Sequence, residues 1–138
     1  RLLPARPSGD IDALLRSAQA IDVIIALPDG SVLNPDNINH VVRSLYQRRS
    51  VLIGYSSTLI RVGSLASVYG SSRDIARSVA SIVVRYADKG TLPEPTFVEE
   101  VSVSFNSQLA RSLNIALPDK EATVKAIRMK RETRRRAP

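Results

Sequence analysis

The 138-residue chain contains no cysteine. Disulfides and thiolate metal sites are thereby excluded, and the composition suits a reducing or an oxidising compartment. No apolar run approaches the ~20 residues that span a bilayer. The first residues, RLLPARPSGD, lack the apolar core of a signal peptide and include no initiator Met, so the chain is expected to be a mature or excised piece of something longer. There is one histidine, His40. It stands between apolar positions of a predicted helix, with no carboxylate or serine partner at motif spacing, and reads as an ordinary helix histidine. No serine lies in a Gly-x-Ser-x-Gly elbow. No glycine-rich phosphate fingerprint is present, and no cluster of ligands suggests a metal. The expectation is capture of a ligand without chemistry: not an enzyme, with no cofactor and no metal.

The net charge of +7 is concentrated in one place. Residues 128–136, RMKRETRRR, hold six basic side chains and one acid, which is five of those seven charges. Aromatic residues do not interleave with the run and no reading helix precedes it. Nucleic acid is therefore not an expected partner, and the run reads as a solvated, disordered tail.

What is present is an alternation of strands and helices. Leu2–Ala5 reads as a short strand, Pro7–Gly9 as a turn, and Asp10 as the N-cap of a helix bearing Ile11, Leu14, Leu15 and Ala18. Val23–Leu27 is an unbroken apolar run, expected of a strand covered on both faces. Pro28-Asp29-Gly30-Ser31 ends it. Asn34-Pro35 pairs an N-cap with proline at the first helical position, ahead of Ile38, Val41, Val42, Leu45 and Tyr46 at helical spacing. Val51–Gly54 is the next strand. Ser57 caps a short helical turn to Val62, which Gly63 ends, and Leu65–Val68 follows as a strand. Ser71 or Ser72 caps a long helix with Ile75, Val79, Ile82, Val83 and Tyr86 on one side, stopped by Lys89-Gly90. Thr91–Pro95 is a linker. Val101, Val103 and Phe105 alternate like a strand, Asn106 caps a helix with Leu109, Ala110 and Leu113, and Pro118-Asp119 opens a last charged helix that dissolves into the basic tail. Such alternation predicts an α/β fold: a three-layer parallel sheet with helices on both faces.

Three stretches, Asp22–Val32 (DVIIALPDGSV), Leu59–Gly70 (LIRVGSLASVYG) with Arg73-Asp74, and Val101–Leu117 (VSVSFNSQLARSLNIAL), carry a family resemblance across most of residues 2–118. In their order and separations the chain resembles one lobe, mainly the carboxy-terminal one, of the ABC-transporter substrate-binding proteins. It resembles the branch that includes binders of aromatic amino acids and many uncharacterised members. The resemblance implies a type I periplasmic-binding-protein-like lobe over residues 1–118, with 91–118 crossing partly to a second lobe, then a helix and basic tail over 119–138. It also implies a function: two lobes closing like jaws on a small solute such as an amino acid, delivered to an ABC permease. It implies a periplasmic or other extracytoplasmic location, free or lipid-anchored, and an amino-terminal lobe outside the chain. The alternative function is the ligand-sensing domain of a transcription regulator or sensor kinase, since a fold does not fix a function. A receiver or flavodoxin-like enzyme fits less well, because only Asp29 stands where a receiver needs an acidic cluster.

The candidate ligand residues lie where strands end and helices begin, as in other open α/β sheets. Asp29 follows a strand at a point where the resembling family places an acid. It would pair with a ligand ammonium, or it simply forms the Pro-Asp-Gly turn; Ser31 is its companion. Ser56 and Ser57 suit a carboxylate or other anion, or plain helix capping. Many relatives carry an acid in that loop, and its replacement by Ser-Ser-Thr favours a neutral or anionic ligand. Ser67, Val68 and Tyr69 end the following strand, with Tyr69 placed to stack on a ring or to pack on the sheet edge. Arg73 and Asp74 are expected to start a helix and pair locally. One lobe alone is expected to bind weakly, and to form a homodimer by exchange of Thr91–Leu117, because an uncovered strand edge invites pairing.

Overall fold

Strands of three and four residues alternate with helices in a computed structural model, which describes residues 15, 23–30, 33–94, 98 and 100–136, the last three as backbone only. The elements are β1 (Val23–Ile25), α1 (Ile38–Gln47), β2 (Val51–Gly54), α2 (Ser57–Val62), β3 (Ala66–Tyr69), α3 (Ser72–Lys89), β4 (Ser102–Phe105), α4 (Ser107–Leu113) and α5 (Lys120–Arg136). The strand and turn expected over residues 2–9, and the cap at Asp10, lie outside the described residues. Leu15 alone represents the first expected helix; it is helical and buried.

The sheet order is β1-β2-β3-β4. β1 pairs parallel with β2 (Val23 opposite Val51, Ile25 opposite Ile53), and β2 pairs parallel with β3 (Gly54 opposite Ser67). β4 departs from the expected all-parallel pattern. The Ser102 hydroxyl, at its start, donates to Asp74 just past the end of β3 (3.4 Å). The Asn106 N–H, just past its end, donates to the Leu65 carbonyl just before β3 begins (2.8 Å). β4 therefore runs against β3, and the sheet is mixed, with helices on both sides.

The chain forms two compact units, residues 1–67 with 104–117 and residues 68–103 with 118–138. β3 and β4 each begin in one unit and end in the other.

The first unit is built on the alternation of side chains along β2. Leu52 joins Ala26, Ile38, Val41, Leu45, Leu59 and Leu15 in one cluster, while its neighbour Val51 joins Leu65 and Ala110 in another, closed by Leu109, Leu113, Ile115 and Leu117. The Arg48 guanidinium donates to the Leu15 carbonyl. β1 is covered on one face only: Val23 and Ile25 are exposed, contrary to the reading of Val23–Leu27 as buried on both sides. α1 starts at Ile38 rather than next to Pro35. Asn34 still caps, but it caps a turn: its Oδ1 accepts the N–H groups of Asp36 and Asn37 (3.1 Å each), while Asn37 Oδ1 accepts from Asn34 (3.0 Å). A proline-first turn leads into the helix instead of opening it.

In the second unit α3 begins with a reciprocal capping box. The Ser71 hydroxyl accepts the Asp74 N–H and the Asp74 carboxylate accepts the Ser71 N–H, both at 3.1 Å. The helix ends at Gly90 in the left-handed conformation (φ 66°). Of the residues read on one side of this helix, Ile75, Val79, Val83 and Tyr86 are exposed and Ile82 is half-buried. α5 stays helical to Arg136, through the run read as disordered. It starts where Asp119 Oδ1 accepts the Ala122 N–H (2.8 Å), and Arg131 donates to the Val98 carbonyl (3.1 Å). Glu100 lies 3.7 Å from Arg77 and 3.8 Å from Arg128.

Candidate functional site

Parallel pairing brings the exits of β1 and β2 to one edge of the sheet. The Ala26 N–H still donates to the Ile53 carbonyl (2.9 Å), so the two strands stay in register until the chain turns away. The turn is made by Pro28-Asp29-Gly30. The Asp29 N–H donates to the Leu27 carbonyl (2.8 Å), and the Asp29 carbonyl accepts the Leu33 N–H (3.0 Å). Asp29 thus makes the turn with its backbone, and the residue is exposed at the carboxyl end of β1. Ser31 lies outside the described residues.

At the exit of β2 the two serines divide. Ser56 is half-buried and its hydroxyl accepts the Leu59 N–H (3.4 Å), so Ser56 rather than Ser57 is the cap of α2. Ser57 is the first helical residue and is exposed. Asp29 and Ser57 are thus both exposed at the exits of neighbouring parallel strands.

Ser67 does not join them. It is completely buried, opposite Gly54, with its hydroxyl 3.2 Å from that of Ser64. Its side of β3 is the one packed on β2 and α2, so this hydroxyl is interior and out of reach of solvent. Tyr69 is half-buried and belongs to the second unit. Asp74 pairs with Ser71 and Ser102, not with Arg73. Its carboxyl is held below the usual carboxylate value by the Ser71 hydroxyl, with further help from the Ser71 N–H, the Ser102 hydroxyl and Arg77, against partial desolvation. His40 is exposed on α1. Among the described residues no group of three or more His, Cys, Asp or Glu could hold a metal ion. No helix among them is long and apolar enough to cross a membrane.

The first unit also has a pocket of about 430 Å³ that sequence reasoning missed. It lies at the opposite edge of the sheet, where β2 begins (Ser50, Val51), α2 ends (Gly63) and α4 is capped (Asn106). Asn39 and Arg43, one helical turn apart on α1, line it with Tyr46, and Leu45 and Leu109 supply apolar walls. None of the predicted ligand residues lines it. The only local signal is the Asn39/Arg43 spacing; the other walls come from segments distant in sequence.

No protein-family model and no curated protein matches the sequence. Solved structures do. A conserved domain protein from Vibrio cholerae is similar with a TM-score of 0.57 and 18% identity, over 83% of this chain and 39% of that one. An ABC domain from Streptococcus pneumoniae, solved in complex with L-Trp, is similar with a TM-score of 0.56 and 22% identity, over 84% of this chain and 40% of that one. The likeness is one of fold, an open α/β sheet with helices on both sides. The chain spans about two fifths of the length of either structure.

Proposed function

We propose that the chain is a ligand-capturing lobe of an ABC-transporter solute-binding protein, carrying out no chemistry and contributing part of a two-lobed, hinge-closing site for a small solute such as an amino acid. The observation that supports this most is the likeness, over 84% of the chain, to an ABC domain holding L-Trp. In this reading the Asp29 carboxylate meets a ligand ammonium, Ser57 offers a hydroxyl, and Ser31 and Tyr69 keep the ligand contacts expected from their positions at strand ends. The protein works outside the cytoplasm, free or lipid-anchored, and its downstream partner is an ABC permease.

The test is a thermal-denaturation screen of the full product of the gene against amino acids, small acids and sugars. A rise in Tm with one of these classes, reduced by Asp29→Asn, is the expected result. A product whose Tm no solute raises overturns the reading. The 138-residue chain alone should bind only weakly, because ligand pockets bury ~70–90% of a ligand's surface and an open edge does not.

A further inference from the structure

The pocket of about 430 Å³ beside α1 plays no part in the proposed function, yet its lining has a definite chemistry. Asn39, Val42, Arg43 and Tyr46 recur at the three- and four-residue spacing of one helical stripe, about 10 Å long at 1.5 Å per residue. Behind the stripe the walls are apolar: Leu45, Val51 and Leu52 are buried and Leu109 is half-buried. Arg43 is the only charged residue of the lining. No ion pair or side-chain hydrogen bond among the described residues engages Arg43, Asn39 or Tyr46. The surrounding unit is basic as well. Its described residues include Arg43, Arg48, Arg49, Arg61 and Arg111 against only Asp29 and Asp36, and neither aspartate lines the pocket.

We propose that this pocket is a second ligand site, for a small organic carboxylate with an aromatic body. A guanidinium keeps its charge, and its planar fork matches a carboxylate through two parallel hydrogen bonds. Asn39, one helical turn before Arg43, adds an amide donor. An inorganic anion would satisfy these groups but would leave the Leu45, Val51, Leu52 and Leu109 walls uncovered. A flat apolar body covers them, and the Tyr46 ring offers it a stacking partner. The volume stands at the small end of the ~300–1,000 Å³ range of ligand pockets, which suits one ring with a short acid chain rather than a dinucleotide or a peptide. The walls are also well fixed. Gly63 packs so tightly on Val42 that a β-carbon there would lie 2.6 Å from Val42 Cγ1. Asn106 accepts the Leu109 N–H (2.9 Å) and donates to the Ile60 carbonyl (3.4 Å). The site lies where β2 begins, whereas Asp29 and Ser57 lie where β1 and β2 end, so it does not rest on the cleft reading.

Titration of hydrocinnamate into the ¹⁵N-labelled 138-residue chain, followed by backbone amide shifts, tests this. Saturable shifts are expected, centred on α1 from Asn39 to Tyr46, on Ser50, Val51 and Leu52, and on Asn106. Arg43→Gln, at an exposed position, should weaken binding by about tenfold or more while the far-ultraviolet circular dichroism stays unchanged. Hydrocinnamamide, which keeps the ring and lacks the charge, should bind correspondingly more weakly than the acid. Acetate and inorganic phosphate, which keep a charge and lack the ring, should move the same amides only at far higher concentration. Absence of saturable shifts, an affinity indifferent to Arg43→Gln or to loss of the ligand's charge, or phosphate binding as tightly as hydrocinnamate would each overturn the proposal. So would shifts centred on Asp29 and Ser57, since the acid would then sit at the other end of the strands.

Discussion

A β-carbon at Gly54 would lie 2.5 Å from the Ser67 hydroxyl and 2.8 Å from the β-carbon of Leu59. The two residues are opposite one another in the β2–β3 register, so the closeness of that strand pair depends on glycine at one position and a small side chain at the other. Gly54→Ala should destabilise the chain by about 1–3 kcal/mol, the range for overpacking a well-filled core. Ser67→Gly on the same background should recover only part of the loss, because Leu59 still obstructs. Urea denaturation of the three variants measures this, and a Gly54→Ala chain as stable as the parent would contradict the packing described.

The Ser64 and Ser67 hydroxyls, both fully buried, bond to each other at 3.2 Å. Removing one strands the other in an apolar interior at a cost of about 1–3 kcal/mol, whereas removing both takes away donor and acceptor together. Ser67→Ala should therefore be destabilising, and Ser64→Ala/Ser67→Ala less so than the sum of the single changes. Additive effects in that double-mutant cycle would mean that the hydroxyls do not depend on each other.

Gly63 and Gly90 both have positive φ, 130° and 66°, but their surroundings differ. A β-carbon at Gly63 would meet Val42 Cγ1 at 2.6 Å, while at Gly90 it would meet nothing within 4 Å. Gly90→Ala should cost about 1 kcal/mol, from the left-handed backbone alone, and Gly90→Asn less, since asparagine tolerates that cap position. Gly63→Ala should cost more than Gly90→Ala, and Val42→Ala should relieve its steric share but not its backbone share. Denaturation midpoints that rank Gly90→Ala as the worse change would reverse this assignment.

Local chemistry made much of this architecture readable. The caps at Ser71 and Asn106 follow from side chains that accept backbone N–H groups three residues on, the stops at Gly63 and Gly90 from the positive φ that glycine tolerates, and Val51–Gly54 from a short apolar run between turn residues. What failed was non-local. The apolar run Val23–Leu27 announces a strand but cannot say that one face stays uncovered, and the stripe from Ile75 to Tyr86 announces an amphipathic helix but not what it meets. The reversal of β4 is set by where the chain returns after α3, which no short motif records. Of the site residues, Asp29 and Ser57 stand at strand exits as their sequence positions imply. Ser67 was misplaced because a strand end reads the same whether its hydroxyl faces solvent or a neighbouring glycine.

Asp74 makes the fold sensitive to acid. Its carboxyl accepts from Ser71 and Ser102 with Arg77 nearby, which lowers its pKa from the ordinary 3.8. A group whose folded pKa is depressed binds its proton more readily in the unfolded chain. Its contribution is fully present above the unfolded value and is lost as pH falls through the lower, folded value. Denaturant midpoints measured from about pH 5 to about pH 2 should therefore fall for the parent chain over the lower part of that range. They should fall less steeply for Asp74→Asn, which keeps an oxygen to accept the Ser71 N–H but does not titrate. Ser71→Ala removes the largest cause of the shift and should move the Asp74 pKa back toward its ordinary value, followed directly by the side-chain carboxyl ¹³C shift. If the parent and Asp74→Asn lost stability in parallel as acid was added, the acid sensitivity would belong to other carboxylates and the capping box would be neutral to pH.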